Sequence, residues 1–167
     1  PPDAGVMRDP LAPGVGTLPM DYFQCFSEAM IDSFNTWGRA VKEASGDRLL
    51  TGCYYGYTLA QLFTSVPGFH GHTAVDRAAR APYLDIYVSP AEYDNSRRAG
   101  GHLWGHNIID SLRLHNKLWI YEADTRTCLS DIVPKQYSLP ETLEVLKRDA
   151  CAAMLRGSGW WWLEFAS

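Results

Sequence analysis

The stretch Lys117–Thr127 joins a short apolar run to side chains that can do chemistry. Its first five residues have the composition of a buried strand, and Glu122, Asp124 and Arg126 follow directly. Charged groups are costly inside a core, whereas α/β folds place binding and catalytic side chains at the carboxyl ends of parallel strands. The pattern therefore predicts a functional site at the end of this strand.

Residues of a related kind end the other apolar runs of the chain. Aromatic and polar side chains recur there: Tyr55 and Tyr57, then Ser89, Glu92 and Tyr93, and finally Trp162 and Glu164. Aromatic rings pack against the C–H faces of a sugar, and carboxylates accept hydrogen bonds from its hydroxyl groups. A carbohydrate is thus the predicted ligand, with Asp124 and Arg126 as further contacts.

Neighbouring aromatic residues in a strand divide between its two faces. Trp160 and Trp162 share a face and Trp161 lies opposite; Trp162, nearer the carboxyl end, is the predicted platform for a sugar. Tyr54 and Tyr55 divide in the same way, and Tyr55 is the predicted site residue.

Cleavage of a glycosidic bond needs two carboxyl groups that flank it. A nucleophilic carboxylate must be ionised near neutral pH, and a nearby guanidinium such as that of Arg126 would hold its pKa low. Glu122 fits one member of such a pair. A structural salt bridge between Glu122 and Arg126 is the alternative interpretation.

The elements that must position these residues alternate along the chain. Apolar residues at three- and four-residue steps predict helices, and short continuous apolar runs predict buried strands. The predicted helices are 21–46, 73–80, 107–115 and 140–157, and the predicted strands are 49–55, 83–90, 117–122 and 159–165. Such alternation is typical of an α/β fold with a parallel sheet.

Four such strands predict half of a TIM (β/α)8 barrel. An open doubly wound sheet is the competing fold, but no G-x-G-x-x-G or G-x-x-x-x-G-K-[ST] motif joins a strand to a helix. Residues 1–19 hold five of the ten prolines and are predicted to be a connecting segment, with the half-barrel at 20–167. We expect the chain to be part of a longer protein.

The amino-acid composition and net charge indicate which classes of binding partner to expect. The 167 residues are 46% hydrophobic and 20% charged, a globular composition. The net charge is −4 and the basic residues are scattered, so neither nucleic acid nor membrane is a predicted partner. The four cysteines form no C-x-x-C pair, so neither a zinc ribbon nor a disulfide framework is predicted. No cofactor or metal is predicted.

Three segments together resemble the second half of the family-42 β-galactosidases and their relatives, which belong to a clan of retaining barrel glycosidases. The segments are LLTGCYYGY at 49–57, LDIYVSP at 84–90 and DSLRLHNKLWIYEADTRT at 110–127. The resemblance implies that this chain is the C-terminal half, strands 5–8, of the TIM barrel. It also implies an acid/base glutamate at the end of strand four and a nucleophilic glutamate at the end of strand seven. Glu122 then takes the nucleophile position, and the acid/base precedes Pro1, so the fragment alone is not expected to be active.

Two other functions fit the same residues. A barrel that binds sugar without catalysis would use the same aromatic side chains but would lack the acid/base glutamate. A metal-dependent hydrolase is suggested by His70-x-His72 and His102-x3-His106, yet all four lie in predicted loops rather than at strand ends. The predicted partners are a carbohydrate substrate and the missing half of the barrel, and a homo-oligomer is left open.

Overall fold

A computed structural model describes residues 18–58, 70–91, 97–101, 103, 105–132 and 135–163. Helices and strands alternate along this part of the chain, in the order that the sequence predicts. The elements are α1 (Leu18–Ser45), β1 (Gly52–Tyr54), α2 (Val75–Arg80), β2 (Ile86–Pro90), α3 (Ile109–Leu114), β3 (Leu118–Ala123), α4 (Leu139–Leu155) and β4 (Gly159–Trp162). Helix α1 begins inside the segment predicted to be a connection, because Pro19 is tolerated in the first turn of a helix.

The four strands form one parallel sheet in the order β1-β2-β3-β4. The prediction of an α/β fold with a parallel sheet is therefore confirmed. Neighbours in the chain are neighbours in the sheet, and right-handed crossovers then carry every connecting helix to the same face. A doubly wound sheet needs a reversal of strand order, which the described strands do not have.

One face of the sheet forms the core with the helices. Its strand residues are large and buried, and Tyr87, Trp119 and Tyr121 are each at most 1% exposed. Ile31 of α1, Ala78 of α2 and other helix residues join them in one cluster, whose further members include Ala79, Ile109, Leu112 and, partly buried, Ala152. All four helices therefore lie on this side, which we call the helix-covered face.

The other face, which we call the open face, carries the alternate residues of each strand. The exposed fractions of Tyr54, Leu118 and Trp161 are 56%, 38% and 36%. Cys53 and Trp119, next to the first two in the chain, belong to the core. A period of two residues produces this division. Among the described residues, no helix is long and apolar enough to cross a membrane.

Charged contacts tie α1 to the amino end of the sheet. The Lys42 ammonium lies 2.7 Å from the Asp85 carboxylate, which also accepts a hydrogen bond from the Thr51 amide at 2.8 Å. Burial alone would raise the pKa of Asp85, but the bonds from Lys42 and Thr51 outweigh it and lower that pKa. The Lys117 ammonium donates to the carbonyl groups of Ala81 and Leu84 at 2.6 and 2.7 Å, and so joins β3 to the same region.

Gly38 provides a test of how closely α1 approaches the segment before β2. A Cβ at this position would lie 2.3 Å from the Tyr83 carbonyl oxygen, and the Tyr83 amide donates to Asn35 of α1 at 3.0 Å. We expect Gly38→Ala to lower the free energy of unfolding by roughly 1–3 kcal/mol, because the backbone must shift. Urea unfolding followed by circular dichroism measures this change.

A glycine-to-alanine change in an exposed helix usually raises the free energy of unfolding, by about 1 kcal/mol. The change expected for Gly38→Ala has the opposite sign. Thr36→Ala, at an exposed position of the same helix, is the control and is expected to leave stability unchanged or slightly raised. A Gly38→Ala variant as stable as the parent would contradict this packing.

Candidate functional site

Glu122 lies at the carboxyl end of β3 and on the open face. Its register partners are Pro90 of β2 and Trp161 of β4, so the three residues form one row across the sheet. The Glu122 side chain is half-buried, which leaves its carboxylate accessible from the open face. The predicted position of this acid, at the end of a parallel strand, is confirmed.

Tyr54 and Trp161 flank Glu122. Desolvation raises the pKa of the Tyr54 hydroxyl, and the neighbouring Glu122 carboxylate raises it further as a hydrogen-bond acceptor and through its negative charge. The rings of Tyr54 and Trp161 are 6.2 Å apart at an interplanar angle of 70°. We call these three residues the Glu122 cluster.

The contact between the rings of Tyr54 and Trp161 also indicates the shape of the open face. Tyr54 belongs to β1 and Trp161 to β4, and three spacings of about 4.8 Å separate these strands, or about 14 Å along the sheet. Side chains from the two outer strands nevertheless meet over the centre of the sheet. The open face thus gathers its aromatic residues around one carboxylate, as the wall of a concave site would.

Three residues that were predicted to contact a substrate lie elsewhere. Tyr55 is 2% exposed and packs against Tyr87 on the helix-covered face. Ser89 is buried on that face as well, and its hydroxyl oxygen accepts a hydrogen bond from the Trp119 indole N–H at 2.8 Å. The predictions for Tyr55 and Ser89 are therefore wrong, because both side chains belong to the core.

Trp162 is the third of these residues. It pairs with Ala123, which is 1% exposed on the helix-covered face, whereas Trp161 pairs with Glu122. The alternation of the strand thus places Trp161, and not Trp162, beside the acid. The remaining predicted contacts Tyr93 and Glu164 lie outside the described residues.

Asp124 follows β3 directly and is 5% exposed. Arg97, from the segment after β2, donates through Nη2 to the Asp124 carboxylate at 2.6 Å and through Nη1 to its carbonyl oxygen at 3.4 Å. Desolvation raises the pKa of Asp124, and the positive charges of Arg97 and Arg126 oppose that shift. Arg126 therefore acts electrostatically on Asp124, a partner that the sequence did not predict for it.

Arg97 is a site residue that sequence reasoning missed. It lies in a polar loop seven residues after the last residue of β2 and carries no local motif. Its role arises from a contact with a residue 27 positions away, which becomes visible only when the ends of β2 and β3 are brought side by side.

Tyr57 lies against three histidines beyond the carboxyl end of β1. Its ring centroid is 4.9 Å from that of His70, 5.8 Å from that of His72 and 5.3 Å from that of His106. His72 Nδ1 accepts hydrogen bonds from the amides of Gly56 and Tyr57 at 3.4 and 3.2 Å. Tyr57 is thus half-buried within a histidine cluster that fixes the turn after β1.

The histidines do not gather into a metal centre in the described part of the chain. No group of three or more histidine, cysteine, aspartate or glutamate side chains there could hold a metal ion. His102, one of the four histidines that suggested a metal, lies outside the described residues.

The histidine cluster predicts how stability depends on pH. Burial, with a smaller contribution from the charge of His70, lowers the pKa of His72 to about 4 from its ordinary value of 6.5. Between about pH 4 and pH 6.5, His72 therefore binds a proton in the unfolded chain but not in the folded chain. The free energy of unfolding is thus highest above about pH 6.5 and falls as the pH is lowered toward 4. At about 1.4 kcal/mol per pKa unit, the full loss is roughly 3 kcal/mol.

We expect His72→Asn to flatten this part of the pH profile, because the amide oxygen can accept from the Gly56 and Tyr57 amides without titrating. Urea unfolding between pH 4 and 7 measures the slope in both proteins. His115→Asn, on the half-buried histidine that ends α3, is the control and should keep the parent slope. An unchanged slope in His72→Asn would show that another group titrates.

Comparison with known proteins gives this chain no neighbour. No family model, no curated protein and no solved structure matches it. The resemblance to the family-42 β-galactosidases accordingly stays a prediction from the sequence.

Proposed function

We propose that this chain is the C-terminal half of a retaining glycoside hydrolase barrel and that Glu122 is its nucleophile. The observation that carries this proposal is the Glu122 cluster: a carboxylate at the carboxyl end of a parallel strand, with a tyrosine donor and an indole on either side. Carboxylates with aromatic platforms at this end of a parallel sheet suit sugars.

The sheet supports the half-barrel part of the proposal. Its strand order is sequential and its helices lie on one face, as in a (β/α)8 barrel, where helices form an outer ring around the strands. The outer edges of β1 and β4 pair with no other described strand. Four further parallel strands between those edges would close the sheet and turn the open face into the barrel interior.

In the proposed reaction the Glu122 carboxylate attacks the anomeric carbon of the sugar. The glycosidic oxygen leaves with a proton from an acid/base glutamate, which the proposal places in the preceding half of the barrel. The resulting glycosyl ester on Glu122 is then attacked at the same carbon by water, which gives its proton to the acid/base residue. Two inversions leave the anomeric configuration unchanged.

Tyr54 and Trp161 have separate roles in this proposal. Glu122 raises the pKa of the nearby Tyr54 hydroxyl. In the proposed reaction this hydroxyl donates to one oxygen of the Glu122 carboxylate and leaves the other oxygen to attack the sugar. The Trp161 indole is 36% exposed beside Glu122, so its ring can pack against the C–H face of the sugar ring.

The assignment of the nucleophile is tested by trapping the glycosyl-enzyme. The protein with its complete barrel is incubated with 2-deoxy-2-fluoro-β-galactosyl and β-glucosyl fluorides, which form the ester readily and release it slowly. Peptide mass spectrometry is expected to find the added sugar on Glu122. Glu122→Gln should abolish labelling and lower hydrolysis of an aryl glycoside by roughly 1000-fold or more.

Glu144→Gln is the control, because the Glu144 side chain is 73% exposed on α4 and pairs with Lys147; it should label like the parent. Labelling of any other carboxylate would refute the role of Glu122. Binding of sugar without labelling would instead favour a barrel that recognises carbohydrate without cleaving it.

The role of Tyr54 is tested by removing its hydroxyl group alone. Tyr54→Phe keeps the ring contact with Trp161 but deletes one hydrogen bond to a charged group, so kcat for an aryl glycoside is expected to fall roughly 10- to 100-fold. Tyr137→Phe, at a position that is 77% exposed, is the matched control. A Tyr54→Phe variant with the parent kcat would remove Tyr54 from the site.

A further inference from the structure

Helix α1 carries more apolar surface than the sheet covers. Successive residues of a helix are turned by about 100°, so residues at the right steps share one flank. On the side opposite Glu28 and Asp32, which pair with Arg77 of α2, such a flank is apolar. Its large residues, between 36% and 65% exposed, are Tyr22, Phe26, Trp37 and Val41. We call these four residues the α1 flank; it is turned away from α2.

Helix α4 has a similar flank at the other end of the helix layer. Its large apolar residues, between 46% and 62% exposed, are Leu139, Leu143 and Met154. Arg148, on the opposite side of this helix, donates to the carbonyl oxygens of Arg98 and Gly101, each at 2.8 Å. Both carbonyl groups belong to the segment between β2 and α3. The three apolar residues, which we call the α4 flank, are therefore turned away from α3.

The unpaired edges of the sheet lie on the same two sides. The outer edges of β1 and β4 pair with no other described strand, and the helices follow the order of the strands. The α1 flank therefore lies beside the edge of β1, and the α4 flank beside the edge of β4. Between these edges the sheet curves, since the rings of Tyr54 and Trp161 approach to 6.2 Å over the open face. Each side of the described unit thus presents a strand edge together with an apolar helix flank.

The two flanks are complementary in direction and in spacing. Helices α1 and α4 each lead into the amino end of a strand of the same parallel sheet, so they run in the same direction. Tyr22 and Trp37 are as far apart in the chain as Leu139 and Met154. When the two flanks lie side by side, Tyr22 is level with Leu139 and Trp37 is level with Met154. Each flank thus fits the other.

The area of the two flanks suits a dimer with two such contacts. A half-exposed aromatic side chain offers about 100 Å² and a half-exposed aliphatic one somewhat less, so the seven residues supply roughly 600 Å² to one contact. Two contacts bury roughly 1,200 Å², the size at which specific interfaces begin, and the strand edges add to this area.

We propose that two copies of this 167-residue chain associate head to tail, with the α1 flank and β1 edge of each copy against the α4 flank and β4 edge of the other. Both contacts are identical, so the assembly closes at two copies. The paired sheets then form a barrel of eight parallel strands, a size whose interior side chains can fill. The inference goes beyond the proposed function and requires no hydrolysis. In a longer chain, the proposed preceding half takes the place of the second copy.

Association is measured on the 167-residue chain by light scattering after size-exclusion chromatography and by sedimentation equilibrium. The parent is expected to have twice the 18.7 kDa mass of one chain. Trp37→Glu and Met154→Lys each bring a charge into both contacts, and each should raise the dimer Kd roughly 100-fold or more. Leu114→Lys, at a position of α3 that is 84% exposed and belongs to neither flank, is the control and should keep the parent Kd.

Mixing the two variants tests the head-to-tail arrangement itself. A mixed dimer of Trp37→Glu and Met154→Lys has one contact with both parental residues and one contact in which the introduced charges are opposite. The mixture should therefore dimerise roughly tenfold or more tightly than either variant alone. A dimer formed by two α1 flanks predicts instead that Met154→Lys behaves like the parent and that mixing gives no gain.

A monomeric parent, or a ladder of species larger than two copies, would overturn the inference. So would flank variants that dimerise like the parent, or a mixture that gains nothing. Circular dichroism melts identify any variant that fails to fold, and Val41→Glu or Leu143→Lys then replaces it on the same flank. Fluorosugar labelling of Glu122 uses the complete barrel and is read separately. A monomer therefore refutes this inference alone, and a missing label refutes the proposed function alone.

Discussion

The two-residue period of the strands is the constraint on which the rest of this structure depends. Alternate residues of each strand are too large and apolar to remain in water, so they must be covered by the helices. Trp119 and Tyr121 show this on β3, where both are buried to within 1%. The same period sends Glu122, which lies next to Tyr121 in the chain, to the opposite face. The same alternation therefore buries Tyr121 in the core and places Glu122 on the open face.

Three aromatic residues on that face have hydrogen-bond partners for their polar atoms. The Trp119 indole N–H donates to Ser89, and the Tyr87 hydroxyl donates to the Ala78 carbonyl oxygen of α2. The Tyr121 hydroxyl donates to Asp149 of α4 at 3.3 Å. A buried donor left unpaired would cost about 1–3 kcal/mol, so each bond selects one arrangement of helix on sheet. The orientation of the strands, and with it that of Glu122, follows from these bonds.

The sequence was sufficient for the element order and for the position of the acid, because both follow from patterns within one segment. Amphipathic periods identify the helices, and an apolar run that ends in Glu122 identifies a strand end. It was not sufficient to choose between Tyr54 and Tyr55, or between Trp161 and Trp162. Each pair is two aromatic residues in succession, and only the pairing register with β2 and β3 decides which member faces the helices.

The two carboxylates at the end of β3 differ in their surroundings. Glu122 is half-buried and meets the tyrosine hydroxyl, whereas Asp124 is nearly enclosed and meets Arg97. Burial raises the pKa of Asp124, and the guanidinium 2.6 Å away opposes this rise. Two acids that are two residues apart in the chain therefore have different surroundings. The difference comes from the end of the strand, where the two-residue period stops and the loops begin to supply the neighbours.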